Sequence, residues 1–199
     1  MAKAPVTGNV KTRLANDIGS VNASQFYRRT CKHLLKRVAL DPRWTTYLAI
    51  TPISALSDPF WPAEHPRFSQ GEGSLGVRMQ NIFNAMPPGP VIIIGTDIPA
   101  INSPQIENAF KALKSNKVII GPSGDGGYWL IGQRRTPKTL SIFKDVRWST
   151  NHAMEDTIKN IKKSDLNFTA TLEDVDNGTD YNDFNKFSTR LIINRKNSS

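Results

Sequence analysis

The chain has 199 residues, the size of one α/β domain, and a chain of this length buries about 70% of its unfolded surface. Its 38% hydrophobic and 22% charged content is that of an ordinary globular protein, and no apolar run is long enough for a signal peptide or a membrane span. Lys and Arg exceed Asp and Glu by nine, which concentrates anions such as nucleotides or nucleic acid, and the lone Cys31 excludes an internal disulfide and points to a reducing compartment, the cytoplasm.

In chain order, Lys3, Lys11 and Arg13 surround a Pro/Gly turn in "MAKAPVTGNVKTRL", the composition of a phosphate-holding loop. Gly8, Lys11 and Thr12 fail the G-x-x-x-x-G-K-[ST] spacing, because no Gly directly precedes Lys11. Another phosphate loop remains open, in which Arg grips with two hydrogen bonds and Lys acts as a point charge. Helical spacing of Phe26, Cys31, Leu34, Leu35 and Val38 predicts a helix from Ser24, its N-cap, to Val38, with Cys31 in the core. "WTTYLAITP" reads as a strand, "PFWPAEHPRFSQGEG" as a loop, and "SLGVRMQNIFNAM" as a helix with Leu75, Met79, Ile82 and Phe83 on one face.

Val91 to Ile94 are continuously apolar, the pattern of a central strand buried on both faces. A helix follows from Ser103-Pro104 through Leu113, then a buried strand "KVIIG", and a Gly turn that enters a strand at Tyr128-Trp129. "STNHAMEDTIKNIKKS" reads as a helix capped by Ser149 or Thr150, "NFTATLEDVD" as a last strand and "YNDFNKFSTRLIINR" as a terminal helix. Strands alternating with helices predict a three-layer α/β/α sandwich with a largely parallel central sheet.

In open α/β sheets, ligands gather at the carboxyl ends of the strands. Asp97 directly follows the apolar run and could hold a divalent cation against phosphate oxygens, or could be only a turn residue before a helix. Three glycines surround Asp125 within "GDGG", so the backbone can take positive φ and approach a ligand closely. Asp125 itself reads as a base, a ligand to a substrate hydroxyl or a turn former. Asp174 and Asp176 alternate with Val175 and so share a side, where they repel unless a cation or a basic group lies between them. They could complete a metal site with Asp97, whereas Asp180 reads as a helix cap. His33, His65 and His152 match no metal or triad spacing.

The segments "AKAPVTGNVKTRL", "QGEGSLGVRM", "IIIGTDIPAI", "GPSGDGGYWLIG", "RWST" and "LEDVDNGTD" resemble, in order and spacing, the bacterial rSAM/selenodomain-associated transferase 1 glycosyltransferases. That family has the GT-A nucleotide-diphospho-sugar transferase fold and is more distantly similar to phospholactate and molybdenum-cofactor guanylyltransferases. The resemblance implies one GT-A-like domain over residues 1–199, with Lys3, Gly8, Lys11, Thr12 and Arg13 as the nucleotide-binding loop. It implies Mg²⁺ or Mn²⁺ on Asp97 and Asp176, with Asp125, Gly126 and Gly127 on the acceptor or sugar side and Asp125 as the catalytic candidate. Arg78 and Trp148 to Thr150 match family positions without an assigned role. An apolar first strand before Lys3 belongs to the family pattern and is missing from this chain. The implied partners are a nucleotide sugar and a small-molecule acceptor. The competing expectations are nucleotidyl transfer from an NTP to a phosphorylated acceptor, and an inactive transferase or basic binding protein without catalysis. Nucleic acid is not the expected partner, and the sequence leaves the oligomeric state open.

Overall fold

The structure is a computed structural model that describes residues 1–136 and 138–186. Its centre is built from β4 (Gly89–Ile94), β5 (Val118–Pro122) and β6 (Tyr128–Arg135). Side chains alternate across a strand. Ile92, Ile94, Ile119 and Leu130 therefore face one helical layer, carrying Leu34, Ile106 and Leu113, while Ile93, Val118, Ile120 and Ile131 face the other, carrying Met79, Ile82 and Phe83. The expected three layers follow from this two-residue period.

The strands form two sheets. One runs β1 (Ala2–Lys3), β2 (Leu48–Thr51), β3 (Arg67–Ser69), all parallel; the other runs β4-β6-β5-β7, with β7 at Leu166–Phe168. β6 is antiparallel to both β4 and β5, and β5 and β7 are parallel. The run Val91 to Ile94, predicted to be central, lies instead on the edge of its sheet, and only Ile93 of the four is buried. β3 lies within the segment predicted to be a loop. Its three residues gain a parallel partner in β2, a long-range pairing that local Pro and Gly content does not reveal. β1 is two residues long and pairs with Ile50 and Thr51 of β2.

Helix boundaries shift where the ends are not signalled by side chains. α1 (Thr12–Ile18) and α2 (Ser20–Leu34) are joined by Gly19, so Ser24 is not a cap; it lies buried inside α2 with its hydroxyl bonded to the Val21 carbonyl. Cys31 is in the core, as expected, and burial pushes its thiol up to about 11. α3 (Leu75–Ala85) is capped by Ser74, and α4 (Ser103–Ala112) by a reciprocal Asn102–Gln105 box. Met79, Ile82 and Phe83 are buried, but Leu75 is exposed. α5 is shorter than expected, Ala153–Lys159, with Thr150 accepting from the His152 amide just ahead of it.

After β7 the chain continues beside β5 through irregular bonds, Thr169 N to Ile120 O and Leu172 N to Pro122 O. That path delivers residues 173–176 to the end of the sheet. A last helix, α6, starts at 178 and is described through 186; the rest of the predicted terminal helix lies outside the described residues. Asn177 accepts from the Asp180 amide while Asp180 accepts from that of Asn177, so Asp180 does serve the helix start. Among the described residues, no helix is long and apolar enough to cross a membrane.

Candidate functional site

The carboxyl end of β4 turns through Gly95 and Thr96 into Asp97. A Cβ on Gly95 would stand 2.9 Å from an Asp97 carboxylate oxygen, so the glycine leaves room for that side chain to fold back over the strand end. Lys11, immediately before α1, holds a left-handed backbone at φ 48, a conformation lysine rarely adopts. It brings its ammonium to 3.3 Å from Asp97 and 2.7 Å from Asp176. Only 5% of the Lys11 side chain is exposed, against 44% for Asp97 and 29% for Asp176, so the cation is the buried member of the trio. Arg13 stands 3.6 Å from the second Asp176 oxygen.

Burial works to lower the Lys11 pKa, but the charges of Asp97, Asp176 and Asp174 overcome it and hold the ammonium above its ordinary value. For Asp176, burial is likewise opposed by the Lys11 hydrogen bond and charge, and its carboxyl ends below the usual range. Asp174 also feels the Lys11 charge, but it is outweighed. Burial, and then the negative charge of Asp176, push its carboxyl up to about 7. The basic group expected between the acidic residues is Lys11, and it serves Asp176 better than Asp174.

The raised Asp174 value has a consequence for stability. The fold favours its protonated form, so this carboxyl supports stability below the unfolded value of 3.8 and opposes it as pH rises through about 7. Asp174→Asn should therefore be more stable than the parent at pH 8 by about 1 kcal/mol, the full linkage value being cut by solvent screening at a half-exposed group. Urea unfolding in metal-free buffer at pH 4, 6 and 8 checks this; the two proteins should converge at the acid end.

A cleft of about 500 Å³ opens beside the trio, lined by Lys3, Lys11, Thr12, Arg13, Asp97 and Asp176 together with Tyr27, Gln70 and Arg78. Its volume is in the range of small-ligand sites. Tyr27 and Gln70 are contributions that sequence patterns miss, since each is one polar residue in an otherwise unremarked segment. The Tyr27 hydroxyl bonds the Lys3 backbone and Thr96, tying β1 to the Asp97 turn. Gln70 is buried and donates to the carbonyls of Ala2 and Ala49, while its own oxygen accepts from Arg78 at 3.0 Å. One side chain thus fixes β1, β2 and an arginine of the cleft.

Gly8, Asp125, Gly126 and Gly127 lie outside this lining. One Asp125 oxygen accepts from the Ser123 hydroxyl at 2.6 Å and the Gly127 amide at 2.9 Å, which closes the β5–β6 turn. The glycines of that turn permit close approach to protein. A Cβ on Gly124 would strike the Glu173 carboxylate, and one on Gly126 the Asn151 backbone. Asp125 is nonetheless near enough for its charge to raise Asp174. Trp148 likewise packs on α3, where a Cβ on Gly76 would come within 2.7 Å of its ring. Among the described residues, no three His, Cys, Asp or Glu side chains form a metal cage. Asp97 and Asp176 converge on the Lys11 ammonium, and two carboxylates placed in that way could hold a hard divalent cation together with water and phosphate oxygens.

The same fold occurs in a crystal structure from Desulfovibrio desulfuricans G20 of a protein provisionally named a nucleotide-diphospho-sugar transferase. The two share 26% identity and a TM-score of 0.76 over 88% of this chain and 79% of that one. No curated protein matches the chain. The profile of one bacterial family matches residues 34–150, more than half of the length, and the chain belongs to that family, described as "Uncharacterized protein conserved in bacteria (DUF2064)".

Proposed function

We propose that the protein is a metal-dependent transferase that takes a glycosyl group from a nucleotide-diphospho-sugar. The observation that carries this reading is the convergence of Asp97, Asp176 and Lys11 at the end of β4, beside a cleft that also holds Arg13 and Arg78. The fold shared with the Desulfovibrio protein supports it. Asp97 and Asp176 would hold Mg²⁺ or Mn²⁺, which when bound neutralises charge on the departing diphosphate. Lys11 then turns its ammonium from the carboxylates to a diphosphate oxygen, and Arg13 adds a second cationic contact. Thr12 and Arg13 open α1, but with seven residues that helix contributes little beyond these side chains. Lys3 ends β1, and Gly8 lies in the loop that runs from β1 to Lys11. We assign Asp125, Gly126 and Gly127 to the acceptor side, with the second Asp125 oxygen available to a substrate hydroxyl.

The basic cleft also favours a second reading, nucleotidyl transfer, since a triphosphate uses more cationic contacts than a sugar nucleotide. Thermal-shift titration with nucleotide sugars and NTPs, with Mn²⁺, Mg²⁺ or EDTA, separates the two. Binding at one hundred times Kd stabilises by about 2.7 kcal/mol. Nucleotide sugars should stabilise the protein in a metal-dependent way, and Asp97→Asn should lose at least tenfold in that metal-dependent affinity. Stabilisation by NTPs alone would transfer the assignment to nucleotidyl transfer. An unchanged metal response in Asp97→Asn would remove Asp97 as a ligand.

A further inference from the structure

The outer face of α2 carries charge of one sign. From Ile18 to Leu40 the sequence contains no Asp or Glu, and a π turn over Leu35–Ala39 prolongs the helix. Tyr27, Cys31, Leu34, Leu35 and Val38 face the core, while Arg28, Arg29, Lys32, Lys36 and Arg37 are exposed. Those cations occupy roughly 13 Å of helix axis. Among the described residues none of them stands in an ion pair. Residues 137 and 187–199, outside the described residues, contain no Asp or Glu.

Other helices of the same protein pair their surface charges. Glu107 and Lys111 of α4, and Glu155 and Lys159 of α5, are opposite charges one helical turn apart. In α2 the equivalent neighbours repel. Arg28 and Lys32 are four residues apart and both lie over the Phe60 ring, at 4.7 and 5.8 Å from its centroid. Like charges at this spacing destabilise a helix. A face that keeps them without one carboxylate has the electrostatics of a surface completed by an anionic partner.

The same side exposes aliphatic groups. Val21 lies two helical turns before Arg28 and Leu40 four residues after Lys36, and they are 57% and 56% exposed. Val6, also exposed, follows Pro5, whose carbonyl accepts from the Arg28 guanidinium. The aromatic residues of α2, Phe26 and Tyr27, are buried, so this face offers bases no stacking platform. Against a nucleic-acid backbone the aliphatic groups would meet phosphates. A bilayer accommodates both kinds of side chain, headgroup phosphates facing the cations and aliphatic groups entering the interface.

We propose that the outer face of α2 is a docking surface for an anionic phospholipid bilayer. Arg28, Arg29, Lys32, Lys36 and Arg37 face headgroup phosphates, and Val6, Val21 and Leu40 touch the interface between them. The contact is peripheral, because the apolar side of α2 stays in the core. Each Lys or Arg near such a surface strengthens binding about fivefold, and the attraction fades over about 10 Å at about 0.1 M salt. The inference is independent of the transferase reading.

The test uses the 199-residue protein and vesicles of phosphatidylcholine, alone or with about one-third phosphatidylglycerol, in a co-sedimentation assay. Binding to the anionic vesicles is expected at about 0.05 M salt, with loss at about 1 M and none to the neutral vesicles. Arg29→Gln/Lys36→Gln/Arg37→Gln should weaken it about a hundredfold, with an unfolding midpoint unchanged or raised because repulsion is relieved. Lys144→Gln/Lys162→Gln/Lys163→Gln removes the same charge at exposed positions next to Phe143 and Ile161 of the opposite layer, and should bind like the parent. No binding to anionic vesicles overturns the proposal. An equal loss in the two triple variants also overturns it, since net charge rather than this face would then be the cause. Val21→Ser/Leu40→Ser should weaken vesicle binding about threefold or more without changing its salt dependence. Unchanged affinity in that variant overturns contact with the bilayer interface. Tighter binding to an oligonucleotide of about 20 nucleotides than to vesicles, lost in the α2 triple variant, assigns the face to nucleic acid and overturns the bilayer as its partner.

Discussion

Lys11→Met should weaken nucleotide binding about a hundredfold, the equivalent of about 2.7 kcal/mol, while making the protein more responsive to divalent metal alone. The substitution keeps the length and apolar stem of the side chain and leaves the left-handed backbone in place, so it isolates the charge. Without the ammonium, Asp97 and Asp176 face one another with no cation between them. Removing one member of a buried ion pair costs about 3–5 kcal/mol, and because these carboxylates are roughly a third to a half exposed, the loss should fall to about 1–2 kcal/mol. Lys11 is held above its ordinary 10.5 and Asp176 below its ordinary 3.8, so the pair contributes across the whole interval between them, and the loss should deepen as Asp174 ionises near pH 7, because Lys11 offsets that charge too. It should vanish only as acid protonates Asp176 or alkali discharges Lys11.

The metal arm of this experiment is the more discriminating one. In the parent protein a divalent cation must displace Lys11 from the carboxylates; in Lys11→Met that ammonium is gone and the exposed Arg13 remains beside Asp176. Millimolar Mn²⁺ should therefore raise the unfolding midpoint of the variant more than that of the parent, and Asp97→Asn in the Lys11→Met background should abolish the gain. Equal metal responses in parent and variant would show that the carboxylates do not share one cation position.

Much of this arrangement is legible in the sequence, but not the pairing within it. The alternation around Val175 already puts Asp174 and Asp176 on one side, and Asp97 is marked by the apolar run before it. That Lys11 bridges Asp97 and Asp176 is not visible, because 86 and 165 positions separate it from them and no local period links such distances. The same reason hides the edge position of β4. Its composition reports how its faces are covered, whereas its neighbours are set by long-range pairing. β3 escapes detection because three residues carry too little pattern against a background of Pro and Gly. The start of α2 is misplaced by four residues because Gly19, not a hydroxyl or carboxamide side chain, precedes it, while Ser24 imitates a cap from inside the helix. Gln70 is the clearest omission: its role comes from carbonyls of β1 and β2, and nothing about an isolated glutamine foretells them.

Gly126→Ala should be among the most destabilising single substitutions in the chain, and for a reason separate from any ligand. Gly126 has φ +82, and a Cβ placed there would stand 2.2 Å from the carbonyl oxygen of Asn151 and 2.7 Å from its Cα. The obstacle is backbone, which cannot rotate away as a side chain can. The same residue accepts a 3.0 Å hydrogen bond from the Met154 amide, so the β5–β6 turn and the first turn of α5 are already locked together. The left-handed conformation costs about 1–2 kcal/mol for a residue with a Cβ, and forcing atoms into a filled contact adds about 1–3 kcal/mol. A loss of about 3 kcal/mol lowers the unfolding midpoint by about 6–12 °C in a protein of this size. Gly8→Ala separates the two contributions: Gly8 has φ +83, but a Cβ there would meet nothing within 4 Å. It should lose only the conformational part, about 1–2 kcal/mol. Equal losses in the two variants would mean that the turn does not press on Asn151. A larger loss at Gly126 would establish that the glycines around Asp125 are required first by the packing of this turn against its neighbours, which holds Asp125 beside Asp174.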